Sequence, residues 1–300
     1  MIEPACAMLG IDLGGTNIKA VWTDAEGNVV RRETRHTGDC DGTAVWMDEI
    51  WALSQSSAPR IGIAAPGLAT KDGRAIAFMP GRLRGLEGLD WSAYLGRKAS
   101  VLNDAHAALL GEVWQGAARG RCHVVMLTLG TGVGGAVLIN GRLLRGAIGR
   151  AGHLGHISLN AAGAPDITGT PGSLEDAIGE CTVQRRTGFA STKELVQAVR
   201  AGSSEAHRDW NESVQVLAAA ITSLINAFDP EVVLLGGGIT AAGEALFSPL
   251  HAHLDSMEWR PAGHRVPVVR AQLGEWAGAY GAAFHGAESD LLGHNASPQA

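Results

Sequence analysis

Two stretches of this chain, IDLGGTNIKAVW at 11–22 and LTLGTGVGGAVLI at 127–139, are one pattern written twice. Asp12, Gly14, Ala20 and Val21 match Thr128, Gly130, Ala136 and Val137 at a constant offset of 116 residues. In each copy an apolar run enters a glycine turn, and a second apolar run leaves it toward a polar turn at 24–27 or 140–141. This is the pattern of a β-hairpin whose tip brings bare backbone close to something. Repetition over such a distance predicts a duplicated domain with a ligand cleft between the copies. Amides at glycine turns form anion-binding concavities, so a polyphosphate is the natural guest. Either turn alone reads as an ordinary hairpin; two copies in register outweigh that reading.

The 300 residues suffice for two domains, each with its own core. Hydrophobic residues at 46% and charged residues at 18% describe a soluble globular protein. A net charge of −6 without a Lys/Arg run gives no footprint for nucleic acid. Glycine is the outlier: 41 residues is well above the usual ~7%. Cys6, Cys40, Cys122 and Cys181 lie far apart, with neither a disulfide framework nor a Cys-rich metal site to be read from them. No secretory signal and no membrane-spanning apolar run are evident, so the expected location is cytoplasmic, with no membrane partner.

Strands are predicted over 8–13, 60–64, 101–102, 124–129, 232–235 and 266–271. Helices are predicted over 42–54, 105–115, 173–181, 192–201, 204–228, 243–254 and 275–288. Residues 79–89 and 160–172 read as irregular, 117–121 as a domain junction, and the tail from 293 as unordered. Alternating strands and helices make this an α/β protein.

Several residues in this frame carry chemistry. Asp12 ends a strand beside the first glycine turn, where a carboxylate either bridges Mg²⁺ to a nucleotide or bonds its own backbone. Asp104 stands where a strand meets a helix, as an N-cap or as a general base accepting a hydroxyl proton. His153 and His156, three apart between glycines, suit a metal with Asp166 as third ligand, hydrogen bonds to substrate hydroxyls, or a structural role. Glu175 opens a predicted helix, whose dipole it also complements. Gly236–Gly238 follows an apolar strand and would let a flat nucleoside pack on backbone.

Five segments in this order resemble those of the ROK family (repressors, uncharacterised reading frames and sugar kinases) of the actin-like and hexokinase-like ATPase superfamily. They are DLGGTNIK, AAPG, LNDAHAALLGE, LTLGTGVGGAVLINGRLLRG and FDPEVVLLGGGI, and the likeness spans about 8–285. The resemblance implies an α/β fold of two duplicated actin-like (ribonuclease H-like) domains with a ligand cleft between them. It implies a sugar-side domain at 1–118, completed by the helix around 275–288, then a nucleotide-binding and dimerisation domain at 119–274 and a flexible tail at 289–300.

The resemblance further implies an ATP- and Mg²⁺-dependent kinase acting on a hexose or N-acetylhexosamine at O6, glucose first, and a homodimer. Asp104 would be the base, with Gly67, Asn103, His153, His156 and Glu175 holding the sugar. Gly14, Gly15, Thr16, Lys19, Gly130, Thr131 and Gly132 would hold phosphates, Gly237 and Gly238 would lie near adenosine, and Asp12 would bind Mg²⁺. Three departures bear on this. His153 replaces the Glu usual in Glu-x-Gly-His, and Gly81-Arg82-Leu83 stands where an Asn is common. Asp166, Thr168 and Ser173 replace the three cysteines that share a zinc with the last His, so no structural zinc is expected. An inactive sugar- or nucleotide-binding regulatory protein is the alternative. A DNA-binding repressor is not expected, because only seven residues precede the first strand.

Overall fold

The computed structural model describes residues 6–38, 44–79 and 83–292. Cys40, the first residues of the helix expected at 42–54, Gly81-Arg82 and the tail from 293 lie outside the described residues.

The first half runs β1 (Met8–Leu13), β2 (Asn17–Thr23), β3 (Val29–His36), α1 (Val45–Ser54), β4 (Arg60–Ala65), β5 (Leu68–Ala69), β6 (Ile76–Phe78), α2 (Trp91–Leu95), β7 (Ala99–Asn103) and α3 (Asp104–Gln115). The second runs β8 (Val124–Leu129), β9 (Val133–Ile139), β10 (Arg142–Leu143), α4 (Leu174–Ile178), α5 (Val183–Thr187), α6 (Thr192–Arg200), α7 (Ser204–Phe228), β11 (Val232–Gly236), α8 (Glu244–Met257), β12 (Val268–Arg270) and α9 (Ala277–Leu292).

Two five-stranded sheets have the same order, β3-β2-β1-β4-β7 and β10-β9-β8-β11-β12. In each, the central strand pairs antiparallel with its hairpin partner and parallel with the next strand, and the outer strands follow suit. The 116-residue offset carries β1 onto β8 and β2 onto β9 residue for residue. The duplication read from the glycine turns is thus a duplication of sheet topology.

The chain divides into two compact units. One draws on Met1–Gly120, Arg145–Arg150 and Gln272–Ala300, the other on Arg121–Leu144 and Ala151–Ala271. In the first, α9 packs on α3, β1 and β4. The approach is close enough that a Cβ on Gly62 would meet the Ala282 carbonyl oxygen at 1.8 Å, and one on Gly281 the Ala107 oxygen at 1.7 Å. The small-residue composition of α9 is therefore a packing requirement. The remaining core gathers Trp46, Ile50 and Trp91 with Leu9, Ile11 and Ile63. In the second unit α7 buries Trp210, Leu217 and Ile221 in one core with Val125, Leu127 and Leu235.

Where the fold departs from the sequence reading, local reasons are visible. The helix expected over 173–181 stops at Gly179, which is extended at φ −60°, ψ 147°. From there the amides of Glu180 and Cys181 donate to the carbonyls of Gly130 and Thr131 at 3.0 and 2.8 Å. The chain leaves the helix to tie down the second glycine turn. β3 went unread because it is a half-exposed strand carrying Arg31, Arg32, Glu33 and Arg35 at the sheet edge, where charge guards against further pairing. α2, only five residues long, is capped by Asp90, which accepts the Ala93 amide.

Candidate functional site

The first glycine turn, Gly14–Thr16, is fixed from within and from β3. Gly14 N–H donates to the Asn17 carbonyl at 3.1 Å, and Thr37 takes two of the turn's three carbonyls. Its amide bonds Thr16 O at 2.9 Å, and its hydroxyl bonds Gly14 O at 2.7 Å. Among the described residues the amides of Gly15 and Thr16 have no protein acceptor. The turn thus leaves two amide donors available while the Gly14 and Thr16 carbonyls are engaged, which is the polarity an anion needs.

Asp12 lies one residue before this turn's entry, facing Lys19 across the β1–β2 ladder. Its carboxylate packs against the start of α9, so close that a Cβ on Gly278 would meet Oδ2 at 2.5 Å. Burial, then the Asp104 charge, push its pKa up to about 7, with Lys19 opposing. Lys19 itself pairs with exposed Glu275 at 3.1 Å, a surface contact that is easily exchanged. Among the described residues no cluster of three or more His, Cys, Asp or Glu could hold a metal ion. A buried carboxylate lacking a full cation does fit Mg²⁺, which takes one or two carboxylates and completes its shell with phosphate and water.

Asn103 and Asp104 divide the junction between β7 and α3. The sequence offered Asp104 as the N-cap, but β7 runs through residue 103 and Asn103 takes that role. Its Oδ1 accepts the amides of Ala105 and His106 at 3.0 and 3.2 Å. Its Nδ2 donates to the Gly67 carbonyl at 3.0 Å and its side chain also bonds Asp104. Gly67 has φ +97°, and a Cβ there would sit 2.5 Å from the Phe78 oxygen, so this turn accepts only glycine. Asn103 thereby joins three candidate residues: Gly67, itself and Asp104. Asp104 is left in the first turn of α3, its Oδ1 accepting the Ala105 amide at 2.8 Å and its carboxylate also bonded by its own amide. Its side chain opens to water, yet protein surrounds it on most sides, and this depth raises its pKa.

In the second unit, Gly130–Gly132 repeats the arrangement with other partners. Gly130 N–H donates to Gly132 O at 2.9 Å, and the turn carbonyls receive Glu180 and Cys181 as described. Glu175, held at the start of α4 by the Ser173 cap, accepts the Val133 amide at 2.9 Å. Beside the turn is a cavity of about 470 Å³, lined by Gly130, Thr131, Gly238 and Ile239 and by Lys193, Val196, Gln197 and Arg200 of α6. Gly237, at φ +85°, packs against the Leu129 carbonyl, whereas Gly238 faces open space. The α6 residues went unread, although positions 193, 196, 197 and 200 form one helical face by spacing alone. Thr37 offered no such signal.

His153 precedes the short turn Leu154–His156 and His156 ends it. His156 Nδ1 lies 2.8 Å from Asp166 Oδ2. The three residues considered as a metal set therefore contain a hydrogen-bonded pair.

The profile of the ROK family matches residues 8–286. The chain belongs to the ROK family. It is 33% identical to the glucokinase of Thermotoga maritima, covering 93% of this chain and 97% of that protein. It is 30% identical to the N-acetyl-D-glucosamine kinase of Pectobacterium atrosepticum, covering 92% and 97%. The solved structure of a ROK family glucokinase from Streptomyces griseus, in complex with glucose and AMPPNP, aligns with a TM-score of 0.76 at 28% identity, covering 93% and 98%. The actin-like ATPase fold expected from the sequence is the fold of these relatives, and the ROK chain has it in its two like-ordered sheets.

Proposed function

We propose that this ROK protein is an ATP-dependent sugar kinase that phosphorylates the 6-hydroxyl of a hexose or N-acetylhexosamine, glucose first, with Asp104 as general base. The observation that carries this reading is the division of labour at 103–104. Asn103 performs the capping, so the Asp104 carboxylate keeps lone pairs for a substrate hydroxyl. Its raised pKa makes it a better proton acceptor than an ordinary carboxylate. The names of the relatives, glucokinase and N-acetyl-D-glucosamine kinase, support the substrate class.

The outward amides of Gly15, Thr16, Thr131 and Gly132 bind phosphate oxygens, and Lys19 exchanges Glu275 for the same guest. The nucleoside lies in the cavity beside Gly238, over Ile239 and Val196. Asp12 would hold Mg²⁺, which would neutralise charge on the phosphates. Phosphoryl transfer then needs little beyond positioning and a base to take the hydroxyl proton as the sugar oxygen bonds the γ-phosphorus and the bond from that phosphorus to the bridging oxygen of ADP breaks, ADP leaving with that electron pair. His153, His156 and Glu175 contribute sugar contacts. The unit carrying β1–β7 serves as the sugar side and the unit carrying β8–β12 as the nucleotide side.

The test is ADP release with Mg-ATP across hexoses, amino sugars and N-acetyl sugars, with 6-deoxyglucose as control. Asp104→Asn should lower turnover by at least about 10³-fold while sugar binding persists. Unchanged turnover in that variant removes Asp104 from the chemistry. ATP binding without turnover of any sugar favours a regulatory protein, the reading that His153 in place of a carboxylate would then support.

A further inference from the structure

Asp166 is a heavily bonded side chain, and it and three of its partners, His156, Thr168 and Ser173, occupy the positions where the family resemblance places zinc ligands. Oδ1 accepts the Thr168 amide at 2.8 Å, the Thr168 hydroxyl at 2.7 Å and the Thr170 amide at 3.0 Å. Oδ2 faces His156 Nδ1 at 2.8 Å. Ser173 also donates to the carboxylate while its oxygen accepts the Asp176 amide as the cap of α4. The Asp166 side chain is only 2% exposed.

These residues do not fit zinc. Thr and Ser hydroxyls are poor ligands at neutral pH. The carboxylate lone pairs are engaged, and the imidazole nitrogen facing the cluster is already bonded. We propose that Asp166 ties together by hydrogen bonds the segments a metal would otherwise join, and acts as the positioning residue for His156. A carboxylate only accepts, so His156 Nδ1 must carry the proton, and in the neutral imidazole Nε2 is left as an acceptor for a substrate hydroxyl. Through Ser173 the same carboxylate fixes the start of α4 and hence Glu175. The role of His156 toward a sugar rests on the kinase reading above; the hydrogen-bonded hub does not.

The experiment has three arms. Metal analysis of the purified protein should find zinc far below one per chain, and chelators should leave the melting temperature unchanged. Nitrogen NMR of ¹⁵N-labelled histidines at pH 8, with the signal assigned by its loss in His156→Gln, should show the Nδ1–H tautomer. Asp166→Asn should disturb that signature and raise the sugar KM about tenfold or more, with a smaller effect on the ATP KM. Thr168→Val, which spares the pair, should lower stability yet leave the sugar KM within about twofold. Stoichiometric zinc, an Nε2–H tautomer, or equal effects of the two variants on sugar KM would each overturn the proposal. If no sugar is turned over the kinase reading fails, and metal content and the imidazole signature still decide the role of Asp166.

Discussion

The two glycine turns share strand lengths, register and the three-residue loop, yet different parts of the protein restrain them. The first is clamped by one residue, Thr37, just past the end of β3. The second is held by the chain leaving α4 at Gly179, and by the Glu175 carboxylate on Val133. In both, turn carbonyls are tied off, Gly14 and Thr16 in the first and Gly130, Thr131 and Gly132 in the second, and amides are left over. The duplicated feature is therefore the electrostatic result, donors facing out, and each unit supplied its own means of reaching it. The chief chemical asymmetry lies at the matching strand positions, where the first copy has Asp12 and the second Thr128. If both turns hold phosphate, as proposed, a carboxylate in each would add a second negative charge where one is enough for a cation.

That asymmetry is the first thing to break. Asp12→Asn should lower kcat/KM by about 10²–10³-fold, the scale of losing a preorganised charge in an active site. Its Mg²⁺ requirement should rise as well. Thr128→Ala should cost less than about fivefold. Similar small losses in both variants would mean that the two copies hold phosphate symmetrically and that Asp12 is only a strand-end residue.

The same carboxylate makes a stability prediction without substrate. Its pKa rises on folding, from 3.8 to about 7. Its contribution to stability is therefore fully present below about pH 4 and is lost as pH climbs through 7. Asp104 and Lys19 are the charges acting on it. At pH 8 the ligand-free protein bears the cost of that anion, on the order of 2 kcal/mol once partial contact with water is allowed for. Asp12→Asn should raise the melting temperature at pH 8 and leave it nearly unchanged at pH 4. A variant equally or less stable than the parent at pH 8 would show that the carboxylate is not under strain. Loss of activity with gain of stability is the pattern expected of a functional charge.

How much of this was legible in sequence depends on how local the signal was. The strand–turn–strand units were readable because apolar runs and glycines lie within a dozen residues of each other. Asp104 was readable as a position but not as a state, since one residue of extra strand decides whether residue 103 or 104 caps α3. Gly179 gave no warning that it would end a helix, because the partners of the following amides, Gly130 and Thr131, are some fifty positions earlier. The cavity face of α6 does carry a local signal, because Lys193, Val196, Gln197 and Arg200 share a helical stripe. Thr37 could not have been found, as a threonine after a charged edge strand has no local pattern to distinguish it.

Thr37 is also the finest test of the two clamps. Thr37→Val keeps the side-chain shape and the backbone bond to Thr16, and removes only the hydroxyl that satisfies Gly14 O. A single lost hydrogen bond to a buried acceptor costs about 1 kcal/mol, and if it is felt wholly in turn geometry the ATP KM rises about three- to sixfold. Thr37→Ser, which restores the hydroxyl, should return it to the parent value. Glu175→Gln keeps an oxygen for the Val133 amide, so its effect on ATP should be smaller still, and any larger change should appear in the sugar KM. If Thr37→Val instead shifts the sugar KM and spares ATP, the first turn is not a phosphate loop, and its likeness to the second is one of backbone shape alone.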